Sequence, residues 1–299
     1  MHSARTAITA LSHYQCKRRA NQIWHPEFIA STCFIWLFKQ QKQRTATSKT
    51  RHQRQSARPC RIEFVSTQEF ASSGKMPVLD GLHAMTTDRL YDTPADVVQG
   101  FRFDDKVVAV FPDMISRSVP GYSTIIHMIQ QLTERYAQHG THLYDLGCSL
   151  GAATLAMHKG LGAKQCEIVG IDNSPQMTTR CQELITQSVG DTPHIEILEG
   201  DITEHAFKPA SVIVLNFTLQ FLPLSARFAL LERIADALVP GGVLILSEKL
   251  AFDEPRHHEL MIELHHNFKR SQGYSELEIA QKRQALENVL IPESFPTHQ

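Results

Sequence analysis

From residue 141 onward, short apolar runs alternate with segments whose apolar residues recur at helical spacing. The apolar runs predict five strands, at 141–147, 166–172, 194–201, 211–218 and 243–249. The fourth run is apolar at nearly every position, as expected for a strand buried on both faces. Strands joined by helix-length segments form parallel sheets, so the pattern predicts a doubly wound, mainly parallel α/β fold.

The connecting segments carry helix signals. Asn173 and Ser174 offer capping side chains and Pro175 suits a first helical turn, so a helix is expected to run to about Ser188 and stop at Gly190. Further helices are predicted at 152–159, 225–238, 254–270 and 275–290, and a helical cap is predicted within 86–140. After the fifth strand only helical patterns follow, so no further strand is predicted.

The charge distribution separates an N-terminal arm from the rest of the chain. Residues 1–84 contain 13 Lys and Arg against 4 Asp and Glu, whereas residues 85–299 contain 17 against 27. The arm has no apolar period that could bury a face. We therefore predict a basic, disordered extension at 1–84 and a single folded domain at 85–299, which carries a net charge of −10.

Three interpretations of the arm remain open. It could be a targeting peptide, an arm that binds nucleic acid, or a functionless segment that precedes the true translation start near Met85. The longest uncharged apolar stretch, 28–38, is too short to span a bilayer. Six cysteines without a CxxC pair favour reduced thiols and a cytoplasmic protein.

Candidate ligand-binding residues follow four predicted strands. They are the Gly-rich loop at 147–151, Asp172, Asp201 and Asn216. Ligands of doubly wound sheets bind at these carboxyl ends. Asp172 stands 25 positions after Gly147, where a carboxylate can accept ribose hydroxyls, and Asp201 could accept from an adenine amine. The alternative is that each side chain only caps a turn, a helix or a strand end.

Longer sequence strings carry a more specific resemblance. They are FPDMISRSVPGYS (111–123), YDLGCSLGAAT (144–154), IDNSPQM (171–177), EGDI (199–202), VIVLNFTLQFL (212–222), GGVLILSEK (241–249) and HHNFKRSQGYSELEIAQKR (265–283). The strand-end constellation resembles class I S-adenosylmethionine-dependent methyltransferases. The strings resemble the carboxy-S-adenosyl-L-methionine synthase family over about residues 85–299.

The resemblance implies a fold and an activity. The fold is a Rossmann-like methyltransferase sheet that binds S-adenosyl-L-methionine. The family normally adds two antiparallel strands after the fifth, and we expect these to be missing here. The activity is conversion of S-adenosyl-L-methionine and prephenate to carboxy-S-adenosyl-L-methionine and phenylpyruvate, without a metal. A separate tRNA carboxymethyltransferase uses the product for 5-oxyacetyl uridine at the wobble position. A homodimer is implied, and the acidic domain is not expected to hold tRNA or a membrane.

The resemblance also assigns ligand contacts. These are Tyr122, Gly147, Cys148, Ser149, Asp172, Asn173, Asp201, Ile202, Asn216 and Arg283. Arg283 is the expected catalytic residue, since a planar guanidinium can clamp the new carboxylate. The sequence pattern alone indicates that Tyr122 is an aromatic residue in a turn. It indicates that Arg283 is a charged residue on the solvent-exposed face of a helix. Two other functions remain possible: an ordinary small-molecule methyltransferase and a catalytically silent S-adenosylmethionine-binding protein.

Overall fold

The computed structural model describes residues 86–192 and 194–298. The basic arm at 1–84, with its apolar stretch at 28–38, and Met85 lie outside the described residues. The predicted disorder of the arm therefore stays a prediction. Within the described ranges, no helix has the length and apolar character needed to cross a membrane.

Five strands form the central sheet. They are β1 (His142–Leu146), β2 (Glu167–Asp172), β3 (Ile195–Glu199), β4 (Ala210–Asn216) and β5 (Leu238–Ser247). Their order is β3-β2-β1-β4-β5, and every neighbouring pair is parallel. The predicted doubly wound, mainly parallel sheet is confirmed. The order reverses between β1 and β4, which is where such sheets bind ligands.

Seven α-helices occur in the described part of the chain. They are α1 (Asp105–Ser118), α2 (Tyr122–Tyr136), α3 (Ala152–Leu161), α4 (Pro175–Val189), α5 (Leu224–Ala237), α6 (Pro255–Ser271) and α7 (Glu276–Leu286). The predicted cap consists of α1 and α2, and α2 packs on α3. The start of α4 agrees with the sequence signal, because the Ser174 hydroxyl accepts the N–H of Met177 at 3.2 Å.

Apolar layers cover both faces of the sheet. Leu143 and Val212 belong to the layer that contains residues of α2 and α3. Their sequence neighbours Tyr144 and Ile213 belong to the opposite layer, which contains residues of α5. Full burial of a Val, Leu or Ile side chain contributes about 1.5–3 kcal/mol to stability. The sheet is therefore a rigid support for the loops at its carboxyl edge.

Most strand boundaries differ from the prediction by one or two residues, and the start of β5 differs by five. β4 ends at Asn216, two residues early, because Phe217 adopts the left-handed region at φ 60°, which interrupts an extended strand. β5 begins at Leu238, five residues before the predicted start. The Pro-Gly-Gly segment at 240–242 did not break this strand, since Gly242 lets the backbone lie close to the carbonyl oxygen of Ala210.

No strand was predicted after β5, and this was wrong. β6 (Leu250–Ala251) and β7 (Glu293–Ser294) form a small parallel pair. Two-residue strands are too short to show alternation in sequence. α7 also ends at Leu286 rather than 290, because the N–H of Ile291 donates to the carbonyl of Gln220 at 2.9 Å and directs the chain away.

Candidate functional site

The carboxyl edge of the sheet opens into a cavity of about 620 Å³. All ten residues singled out from the sequence line it: Tyr122, Gly147, Cys148, Ser149, Asp172, Asn173, Asp201, Ile202, Asn216 and Arg283. They come from α2, from the loops after β1 to β4 and from α7, so segments distant in the chain meet here. The volume lies in the range of small-molecule sites.

The loop after β1 brings backbone to the cavity wall. Gly147 has φ 77°, in the left-handed region that glycine adopts without strain, and a Cβ added there would collide with Thr218. Ser149 has φ 48°, which is uncommon for a residue with a side chain. Strained backbone of this kind clusters at ligand sites. The loop is therefore shaped for close approach of a ligand.

Asp172 joins the loops after β1 and β2. Its Oδ2 accepts the N–H of Ser149 at 2.9 Å, and its Oδ1 accepts the N–H of Ser174 at 3.0 Å. The residue is 9% exposed, and burial raises the pKa of its carboxyl although these N–H groups oppose the rise. Each oxygen keeps a second lone pair. The carboxylate can therefore cap the turn and accept ribose hydroxyls at the same time.

The loop after β3 offers a polar and an apolar surface. Oδ1 of Asp201 accepts the N–H and the hydroxyl of Thr203, both at 2.7 Å. This oxygen thus caps a turn, which was the alternative considered from sequence. Ile202 is buried and contributes to the cavity wall. A carboxylate beside an aliphatic side chain is a suitable surface for an adenine ring with its exocyclic amine.

Asn216 presents an unmet acceptor at the end of β4. Its Oδ1 is buried and finds no hydrogen-bond partner within the described ranges. Leaving a buried polar group unsatisfied costs about 1–3 kcal/mol, which a ligand donor would remove. The next residue, Phe217, is the second strained position at this edge. The orphaned oxygen is direct structural support for a polar ligand in the cavity.

Asp145 also lines the cavity and was not selected from the sequence. It is 1% exposed and accepts the Thr154 hydroxyl at 2.6 Å. Burial raises its pKa to about 6. Burial, followed by the charge of Asp145, raises the pKa of Tyr122, so that hydroxyl stays protonated and can donate. An acidic residue inside a buried strand is rare, and this signal could have marked Asp145.

Basic side chains line the other half of the cavity. Besides Arg283 they are Lys249, His258, His265, His266, Lys269 and Lys282. Burial lowers the pKa of Lys269 to about 7 and that of Lys282 to about 8. The sequence did not reveal this cluster, because its members follow β5 or lie on α6 and α7 and meet only in the folded chain.

Arg283 lies on α7 between solvent and the cavity. Its neighbour Lys282 points inward, is 5% exposed and pairs with Asp88 at 3.4 Å. Arg283 is exposed, yet it contributes to the cavity wall. This position is compatible with both predicted roles, a carboxylate clamp and a solvated helix charge.

Two other candidate centres lie at the cavity wall. Cys148 lies against Cys181, and a hydrogen bond between the thiols, together with burial, raises the pKa of Cys148. A neutral thiol is a poor nucleophile. The His-rich segment at 257–266 lies within α6. Over the residues the structure describes, no group of three His, Cys, Asp or Glu side chains could hold a metal ion.

Comparison with known proteins identifies the family. A family model described as a methyltransferase domain matches residues 143–242. The carboxy-S-adenosyl-L-methionine synthase of Trichlorobacter lovleyi is 56% identical over 213 residues, which are 71% of this chain and 87% of that protein. The chain belongs to the carboxy-S-adenosyl-L-methionine synthase family. Synthases of this family from Aliivibrio fischeri and Colwellia psychrerythraea are each 54% identical, over 71% and 73% of this chain and 87% and 88% of those proteins.

Membership of the synthase family confirms the resemblance drawn from the motifs. It makes the protein a transferase enzyme with a Rossmann-like methyltransferase fold. The relatives are similar over most of their length and over more residues than the family model matches.

Proposed function

We propose that the protein converts S-adenosyl-L-methionine and prephenate to carboxy-S-adenosyl-L-methionine and phenylpyruvate. One cavity combines two surfaces: strand-end residues that suit a nucleoside, and basic side chains at α6 and α7. This combination is the observation that carries the proposal. In the overall reaction, a carboxyl group leaves prephenate and bonds to the methyl carbon, which gives up one proton. The ring hydroxyl departs as water and the ring becomes aromatic.

The strand-end half suits S-adenosyl-L-methionine, whose sulfonium acidifies the methyl group that receives the carboxyl. Asp172 accepts the ribose hydroxyls, while Asp201 and Ile202 hold the adenine. The orphaned Oδ1 of Asn216 supports this assignment, because it needs a donor that the described residues do not supply. Tyr122 and the loop at 147–149 line the same cavity and contact the rest of this ligand.

Arg283 distinguishes the proposed product from plain S-adenosyl-L-methionine. A guanidinium binds a carboxylate through two parallel hydrogen bonds, which gives both energy and orientation. An ordinary methyltransferase shares the strand-end residues and has no need of this clamp. The position of Arg283 in the cavity wall allows this clamp, and the family similarity supports it.

The similarity to the synthase family supports a wider proposed role. The protein is a cytoplasmic homodimer that supplies carboxy-S-adenosyl-L-methionine to a separate tRNA carboxymethyltransferase, which forms 5-oxyacetyl uridine at the wobble position. The net charge of −10 over residues 85–299 supports a role in making the donor molecule rather than in holding tRNA.

The ligand that copurifies with the protein tests the function. From a bacterial host that makes prephenate, we expect mass spectrometry of the denatured protein's supernatant to find carboxy-S-adenosyl-L-methionine. Finding only S-adenosyl-L-methionine would favour an ordinary methyltransferase instead. Finding neither, with no calorimetric binding of either compound, would contradict a nucleoside site in this cavity.

A further inference from the structure

The cationic half of the cavity holds more positive charge than one product carboxylate balances. We call Lys249, Lys269, Lys282 and Arg283, with the imidazoles of His258, His265 and His266, the cationic cluster. Glu287 is an acidic residue in the same wall, and it is exposed. The cluster thus concentrates cations at the wall of the cavity. Some of its members already have partners within the protein.

Two members of the cluster are fixed by the protein itself. The Lys282 ammonium donates to Ser118 Oγ at 3.0 Å and pairs with Asp88, whose carboxylate also accepts the Tyr274 hydroxyl at 2.5 Å. His265 Nε2 lies 2.8 Å from the carbonyl oxygen of Ser118. These contacts connect α1, α6 and α7, so Lys282 and His265 support the wall of the cavity.

Lys249 and Lys269 are different, because their ammonium groups have no hydrogen bond or ion pair to any described residue. Lys269 is only 8% exposed. Burial lowers the pKa of both side chains, and the charges of Lys282 and Lys249 add to the effect at Lys269. An unpaired buried cation is costly unless something compensates it. Both residues contribute to the cavity wall, so an anion in the cavity can supply the missing partner.

We propose that Lys249 and Lys269 form the subsite for the carboxylates of a second, dianionic substrate beside Arg283. This inference rests on the proposed function and assigns residues to its second substrate. Two ammonium groups match two carboxylates, whereas a monocarboxylate would leave one of them unpaired. Apolar wall residues next to the cluster, Phe252, Met261 and Ile262, provide a surface for the substrate's six-membered ring.

The position of Lys249 links the two halves of the cavity. Its backbone N–H donates to Gln220 Oε1 at 3.2 Å, which holds the residue beside the loop after β4. The charge of Arg283 acts on Lys249, so the two side chains face the same space. A carboxylate held by Lys249 would therefore lie in the same part of the cavity as Arg283, the proposed clamp of the product carboxylate.

Lys249→Met and Lys269→Met test this subsite by steady-state kinetics and calorimetry. We expect each to raise the KM for prephenate by about tenfold or more, because a charged hydrogen bond is lost. The Kd for S-adenosyl-L-methionine alone should stay within about twofold of the original. The Tm of the unliganded variants should be equal or higher, since a buried unpaired charge is removed.

Two further variants make the result specific. Lys269→Arg keeps the charge and should retain most of the affinity for prephenate. Lys159→Met is the matched control: Lys159 is exposed on α3 and outside the cavity wall, so its KM should not change. If the original enzyme turns over prephenate and both Met variants keep its KM for prephenate, the subsite assignment is wrong but the proposed function stands. Absence of prephenate turnover by the original enzyme would instead overturn the proposed function.

Discussion

Replacing Arg283 by alanine is expected to weaken carboxy-S-adenosyl-L-methionine binding by about thirtyfold and leave S-adenosyl-L-methionine within about twofold. Truncating one member of a hydrogen-bonded charge pair costs about 2–5 kcal/mol. Arg283 is exposed, so solvent screens its charge and the low end, about 2 kcal/mol, applies. Plain S-adenosyl-L-methionine has no carboxylate at this position, so its affinity should not fall. Calorimetric titration with both ligands measures the difference.

Two variants control the Arg283 experiment. Arg283→Lys should restore only part of the affinity, because an ammonium lacks the planar fork of a guanidinium. Arg180→Ala removes an exposed guanidinium that pairs with Glu183 at 2.6 Å on α4, and it should change neither ligand's affinity. Equal losses for both ligands would indicate a structural role for Arg283. No loss for either would show that it is a solvated helix charge.

Replacing Asp172 by alanine is expected to weaken S-adenosyl-L-methionine binding at least about tenfold. Hydrogen bonds to a charged group contribute about 1.5–3 kcal/mol each, and about 1.4 kcal/mol already corresponds to tenfold. The substitution also removes the acceptors of the Ser149 and Ser174 N–H groups, so the loops themselves lose support. Calorimetry gives the affinity, and a thermal melt checks that the variant folds.

A ligand lacking both ribose hydroxyls separates these two contributions. If Asp172 accepts the hydroxyls, this analogue should bind the original protein weakly and lose little more in the Asp172→Ala variant. If Asp172 only holds the loops, both ligands should lose the same factor. Asp236→Ala, at an exposed position of α5, is the matched control and should bind both ligands normally.

The sequence predicted the sheet and much of the cavity because both depend on local patterns. Each of β1 to β5 contains a short apolar stretch. The carboxyl ends of parallel strands lie at one edge of the sheet. This geometry predicts that Asp172, Asp201 and Asn216 lie close together, and the prediction needs no information on side-chain contacts. Tyr122 and Arg283 came only from the family resemblance, since a turn aromatic and a helix charge carry no signal of their own.

The remaining features depend on contacts that no local pattern encodes. Lys269 looks like an ordinary charge near the end of α6, and only the packing of α6 and α7 buries it beside Lys249. The pairing of β6 with β7 joins segments that are far apart in the chain. The left-handed turn at Phe217 ends β4 although the surrounding sequence is apolar and strand-like.

The most direct test follows one carboxyl group. The purified protein is incubated with S-adenosyl-L-methionine and with prephenate labelled isotopically in the carboxyl group attached to the ring, and the products are separated by mass spectrometry. We predict phenylpyruvate and a carboxy-S-adenosyl-L-methionine that carries the label in its new carboxyl group. Consumption of prephenate without label in a sulfonium product, or no consumption at all, would contradict the proposed reaction.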